Sequence, residues 1–165
     1  MMTAQPVEEQ TPAPERWSTP HALAFVPSVP GPSLRVLLFL LGVQEPGGRI
    51  VITQKGIADA LGLARSVVGE GLQHLQFARM VTQQQRGVYV LHPQIAAFHT
   101  PAEHDQAVMQ LDPDEYLTVD DFDDRYRQTV EAHQADLQRR KTAERRDVRP
   151  PTDLDARRRQ RQRQG

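Results

Sequence analysis

Between positions 53 and 86 the chain carries Thr53, Gln54, Lys55, Arg65, Ser66, Gly69, Glu70, Gln73, Gln84, Gln85 and Arg86. Together these side chains have the chemistry of duplex-DNA recognition. Arginine donates in bidentate fashion to guanine edges, glutamine pairs with adenine, and glutamate accepts from the cytosine amino group. Thr53, Gln54 and Lys55 at the start of a helix would hold phosphate, setting register without reading sequence. Gly69 would either admit close backbone approach or mark a plastic helix. Such a site needs two helices to present the first eight residues and a hairpin tip to present the last three.

The sequence supplies those elements in order. Ser33 follows Pro32 and is expected to cap a helix of body LRVLLFLLGVQ, with Leu34, Leu37, Leu38 and Leu41 as its apolar face. Glu45-Pro46-Gly47-Gly48 stops it. Arg49–Ile52 is a short β-type run. Thr53 caps a second helix, Gln54 to Leu61, with Ile57, Ala58 and Leu61 inward, and Gly62 ends it in a left-handed turn. A third helix spans about Arg65 to Phe77. Its buried stripe is Val68, Leu72 and Leu75, which leaves Ser66, Glu70 and Gln73 on the opposite face and His74 on the polar flank. Met80-Val81-Thr82 and Val88–Leu91 read as strands around a polar tip, Gln83 to Gly87, which places Arg86 near phosphate or a minor groove. His92-Pro93 ends the second strand.

Composition bounds the rest. Of 165 residues 38% are hydrophobic and 13 are proline, seven of them within residues 1–32. One compact core with disordered flanks is therefore expected: a Pro-rich arm over 1–32, a DNA-binding domain over 33–100, an acidic linker and helix over 101–147, and a disordered Arg-rich tail over 148–165. The C-terminal helix should run from about Asp121 to Arg146, with Phe122, Tyr126, Val130, His133 and Leu137 in a thin stripe suited to dimerisation or to docking on its own domain. Asp112-Pro113 should start a brief helical turn. With no cysteine, disulfides and cysteine metal sites are excluded. The apolar run Leu34–Val43 falls short of the roughly 20 residues of a membrane span, and Glu8 and Glu9 stand where a signal peptide carries bases. A cytoplasmic protein is expected.

Charge is segregated. Residues 49–100 hold five bases against two acids, residues 101–136 hold two bases against eleven acids, and residues 137–165 hold eleven bases against four acids. Such blocks point to electrostatic partners. The tail from Arg157 to Arg163 would attract DNA or RNA alike. The carboxylates Asp112, Asp114, Asp120, Asp121, Asp123 and Asp124 form no calcium loop, because Leu117 occupies the position that requires glycine, and they read as a solvated face. His99 and His104 lack a third ligand at suitable spacing. No phosphate-binding loop or dinucleotide fingerprint occurs. Neither an enzyme nor a cofactor is expected.

The stretch ITQKGIADALGLARSVVGEGLQHLQ resembles the winged helix-turn-helix domains of MarR-like regulators. Gly87-Val88-Tyr89 with His92-Pro93 resembles the ending of the domain in RepL-type plasmid replication proteins, although His92 stands where that family has asparagine and Ala64 where a Ser or Thr cap is usual. The resemblance covers about residues 33–98. It implies a fold that is mainly α with a small β-hairpin, a three-helix core plus wing. It also implies sequence-specific double-stranded DNA binding, in plasmid replication initiation or copy control; a homodimer is expected because two half-sites would multiply specificity. The runner-up is transcriptional repression of the MarR-like kind. From another class comes a protein-interaction module using the same surface, against which the net basic core argues.

Overall fold

A computed structural model of the chain describes residues 23–24, 28–118 and 120–147. The expected Arg-rich tail and most of the Pro-rich arm lie outside the described residues. The described chain is mainly helical with a small three-stranded antiparallel sheet. Its elements are α1 (Gly31–Val43), β1 (Arg49–Val51), α2 (Gln54–Leu61), α3 (Arg65–Phe77), β2 (Val81–Gln85), β3 (Val88–Leu91), α4 (Pro101–Met109), a 3-10 turn (Pro113–Glu115) and α5 (Phe122–Asp147). No helix among the described residues is long and apolar enough to cross a membrane.

Helix α1 begins at Gly31, ahead of the expected Ser33 cap. Pro30 sits at the cap position and offers no side-chain acceptor, while its carbonyl takes the Ser33 and Leu34 amides at 2.9 and 3.2 Å. Pro32 falls in the first turn, where its missing N–H has no consequence. The buried face also differs from the expected one. It is Ser33, Val36, Leu37 and Leu40, whereas Leu34 and Leu38 are 45% and 56% exposed. In a helix this apolar the periodicity is nearly flat, so fit against a neighbour decides the face. That neighbour is α3. A Cβ on Gly71 would lie 3.4 Å from the Ser33 Cα and from Val36 Cγ2. Two small residues, Ser33 and Gly71, thus let the helices approach closely.

Helix α2 follows its boundary signals closely. The Thr53 hydroxyl accepts from the Gly56 amide at 3.0 Å, and Gly62 ends the helix at φ 63°, donating to the Ala58 carbonyl. Helix α3 buries Val68, Leu72 and Leu75 as expected, and Ala64 supplies no capping oxygen. At its end Arg79 takes a left-handed φ of 54°, which allows the Met80 amide to reach the Leu75 carbonyl at 3.0 Å and turns the chain into β2.

In the sheet the strand order is β1-β3-β2, both pairings antiparallel. The β2–β3 connection is tighter than expected. Strand β2 continues through Gln83, Gln84 and Gln85, so the turn is Arg86-Gly87 alone. A bulge between Gln83 and Gln85 absorbs the extra residue, bridged by the Gln83 side-chain Nε2 donating to the Gln85 carbonyl at 3.4 Å. Gly87 has φ 79°, a conformation that glycine enters without a Cβ penalty. Gly48 is more constrained: at φ 78°, a Cβ there would meet the Ala96 Cβ at 2.8 Å.

The core does not stop near residue 100. Ile95, Ala96, Phe98, Leu117 and Phe122 join the cluster formed by α1, α2, α3 and the sheet, and the compact unit ends at Tyr126. Three polar side chains hold the later segment in place. Arg79 donates to the Asp114 carbonyl at 3.1 Å, the His92 Nε2 lies 2.9 Å from the Glu115 carbonyl, and the Leu117 amide donates to Gln94 Oε1 at 2.6 Å. Helix α4 occupies what was expected to be linker. Its start carries a legible signal: the Thr100 hydroxyl accepts from the Glu103 amide at 3.2 Å, and Glu103 accepts from the His99 amide at 3.1 Å. Of the α5 stripe, Phe122 is in the core and Tyr126 packs against it. Beyond Tyr126 the helix forms a separate unit, with Leu137 41% exposed.

Two stability predictions follow from these contacts. The Ser33 hydroxyl is buried without a hydrogen-bond partner among the described residues, and removing such a group relieves a desolvation penalty. Ser33→Ala should stabilise the protein by about 1 kcal/mol, read as an increased urea midpoint at unchanged slope. A second concerns His92, whose Nδ1 accepts from the Gln94 amide at 3.2 Å. The ring proton then sits on Nε2, where it donates to the Glu115 carbonyl. Burial holds this imidazole below its ordinary value of 6.5, against the opposing pull of Glu115. Its contribution to stability is complete above 6.5 and is lost as pH falls from there through the depressed folded value. Thermal melts from pH 7.5 to 5 should therefore fall more steeply for the wild type than for His92→Asn.

Candidate nucleic-acid interface

The pairing of β1 with β3 sets the geometry of the site. Arg49, Ile50 and Val51 face Val90, Tyr89 and Val88, and the Ile52 amide then donates to the Gly87 carbonyl at 2.9 Å. Residue 53 and the first turn of α2 are thereby placed beside the hairpin tip. The N-terminus of α3 arrives at the same place through the tight turn at Gly62. The result is a cleft of about 460 Å³ lined by Thr53, Gln54, Lys55, Arg65, Gln83, Arg86, Gly87 and Tyr89.

The lining contains three cations, one each from α2, α3 and the hairpin tip, and no carboxylate. Arg65 and Arg86 are exposed and form no ion pair with the described residues. Lys55 pairs with Asp59 at 2.6 Å, but both side chains are largely exposed. An exposed pair of this kind contributes little and is readily exchanged for another anion. Tyr89 is buried at the floor, and burial pushes its phenol up from the ordinary value; the Gln54 side chain hydrogen-bonds the same phenol and pulls the other way. Gln54 also lies next to Gly69, where a Cβ would stand 3.8 Å from its Oε1. It therefore ties α2 to the floor strand.

Of the residues expected from the sequence, Thr53, Gln54, Lys55, Arg65 and Arg86 line this cleft. Ser66 and Glu70 are exposed on α3, and Gln73 is half-buried one turn beyond Glu70. These three share a face outside the cleft. Gln84 and Gln85 are exposed on β2, not at the tip, and are absent from the cleft lining. The strand extends through them because the bulge keeps the ladder paired. His74, expected on the polar flank, is half-buried, with its Nδ1 2.8 Å from the Tyr126 hydroxyl and its ring edge-on to Phe77. It joins α3 to the beginning of α5. Sequence reasoning missed Gln83, Gly87 and Tyr89 as cleft residues. Gln83 and Tyr89 are register partners across the β2–β3 pair, a pairing that local pattern does not carry, since neither strand alternates cleanly between buried and exposed positions.

Among the described residues no group of three or more His, Cys, Asp or Glu side chains is placed to hold a metal ion. Compared with protein-family models, with curated proteins and with solved structures, the chain shows no match.

The two helical glycines of α3 should respond differently to alanine. Gly69 has room for a Cβ, 3.8 Å from Gln54 Oε1, whereas a Cβ on Gly71 would stand 3.4 Å from the Ser33 Cα of α1, at the near limit of ordinary contact with a backbone that yields little. Mid-helix glycine disfavours a helix by roughly 1 kcal/mol relative to alanine. Gly69→Ala should recover most of that and Gly71→Ala less, measured as paired urea denaturation curves.

Proposed function

We propose that this chain is a sequence-specific double-stranded DNA-binding protein of winged helix-turn-helix architecture, acting in plasmid replication initiation or copy control. In this reading α2 and α3 are the helix-turn-helix, α3 enters the major groove, and the β2–β3 hairpin is the wing. The observation that carries the reading is the convergence of Lys55, Arg65 and Arg86 on one carboxylate-free cleft beside a helix whose outward face is polar. Three separate elements deliver one cation each to the same cleft, as a polyanionic partner requires. The Ser66–Glu70–Gln73 stripe offers donors and acceptors to base edges. The helical stretch resembles MarR-like domains, and the Gly87-Val88-Tyr89 and His92-Pro93 ending after the hairpin resembles that of RepL-type replication proteins; the ending is what favours replication over the MarR-like repressor reading. We further propose that the protein acts as a homodimer, since two half-sites multiply specificity.

Selection from a random duplex-DNA pool tests the proposal. The full-length chain is the proper sample, because Leu117 and Phe122 belong to the core. At about 150 mM salt, where non-specific phosphate attraction is weakened, a discrete motif should be enriched, and Gln73→Ala should weaken it at particular bases. Recovery of unselected sequence would overturn the reading. The location of the motif in an origin or over a promoter then separates replication from repression.

A further inference from the structure

We infer that Arg65 clamps the DNA phosphate backbone and reads no base, which leaves sequence discrimination to Ser66, Glu70 and Gln73. The inference rests on the DNA-binding reading and assigns roles within it. Residue type alone suggests the opposite, since arginine at the start of a groove-entering helix is the usual partner of guanine.

The geometry argues otherwise. Arg65 is the first residue of α3 and lines the cleft with Lys55 and Arg86. A base edge offers partial negative charge to one of these cations at most, while a phosphodiester offers a full charge that all three can share. Arg65 and Arg86 have no carboxylate partner among the described residues, and the exposed Lys55–Asp59 pair is weak enough for Lys55 to join them on such an anion. Three further features fit. Ala64 leaves the first-turn amides of α3 without a side-chain cap, so the positive end of that helix adds to the same field. Next, Gly69, one turn after Arg65, stands beside the cleft residue Gln54, so the Arg65 side of α3 borders the cleft. Finally, Ser66, Glu70 and Gln73 recur at i, i+4 and i+7 on a stripe rotated by about 100° from Arg65. None of the three lines the cleft.

Phosphate contacts and base contacts leave different signatures in solution. A phosphate contact adds to the salt dependence of binding and is indifferent to sequence; a base contact changes the ranking of sequences. The experiment titrates full-length wild type, Arg65→Ala and Gln73→Ala with the duplex recovered by selection and with its single-base-pair variants, over a range of salt concentrations. Arg65→Ala should weaken binding to every duplex by the same factor, roughly tenfold, and lower the slope of log affinity against log salt by about 0.9. Gln73→Ala should leave the slope intact and compress the differences between duplexes. If Arg65→Ala instead levels the preference at one base pair with an unchanged slope, Arg65 is a base reader and the assignment is overturned. If the wild type binds none of the duplexes, the DNA-binding reading itself falls, and this assignment with it.

Discussion

Strand β3 has a partner on each edge, and one of those partners, β1, is supplied by the three residues that lead into α2. The candidate site depends on that pairing. Without it the β2–β3 hairpin would project by itself, and Arg86 would have no fixed relation to Lys55. With it, the Ile52–Gly87 hydrogen bond locks the hairpin tip to the residue before the Thr53 cap. Tyr89 then serves both sides of the sheet's role: it is buried in the core, and its phenol meets Gln54 at the floor of the cleft. A three-residue strand is too short to be stable alone. Here it is held by the fold around Ile50, which is 2% exposed.

The second constraint is the close approach of α1 and α3. Ser33 and Gly71 are both small and both buried. Their contact lets Val36, Leu37 and Leu40 reach Val68, Leu72 and Leu75, and this fixes which face of α3 remains outward. The Ser33 hydroxyl, without a partner among the described residues, is a local defect within this interface. The polar face of α3 is thus determined from behind, by packing, before any ligand is considered.

How much of this could be read from the sequence depended on the kind of signal. Helix α2 was legible to its ends, because a threonine cap and a left-handed glycine are local features with a strong physical preference. The stripe of α3 was legible because its outward residues are polar. The face of α1 was not, since leucines surround it and only the tertiary fit chooses among them. Helix α4 was hidden by its acidic composition, although Thr100 and Glu103 mark its start. The cleft was legible in part. Thr53, Gln54, Lys55, Arg65 and Arg86 could be named from their types and positions, but their convergence depends on β1 pairing with β3, a long-range choice to which local pattern is blind. The packing of Leu117 and Phe122 into the core was hidden for the same reason, because the contacts that hold them run through side chains and carbonyls distant in sequence.

The bulge between Gln83 and Gln85 has a consequence for solubility. Strands β1 and β2 form the two edges of the sheet. The first is too short to template another chain, but the second is a five-residue segment, Val81 to Gln85, without a charge or a proline. Segments of that composition invite edge-to-edge pairing between molecules. A bulge interrupts the regular spacing of the open donors and acceptors and twists the edge away from a flat partner. The same extra residue that lets a two-residue turn present Arg86 therefore also guards the uncharged edge of β2 against self-association.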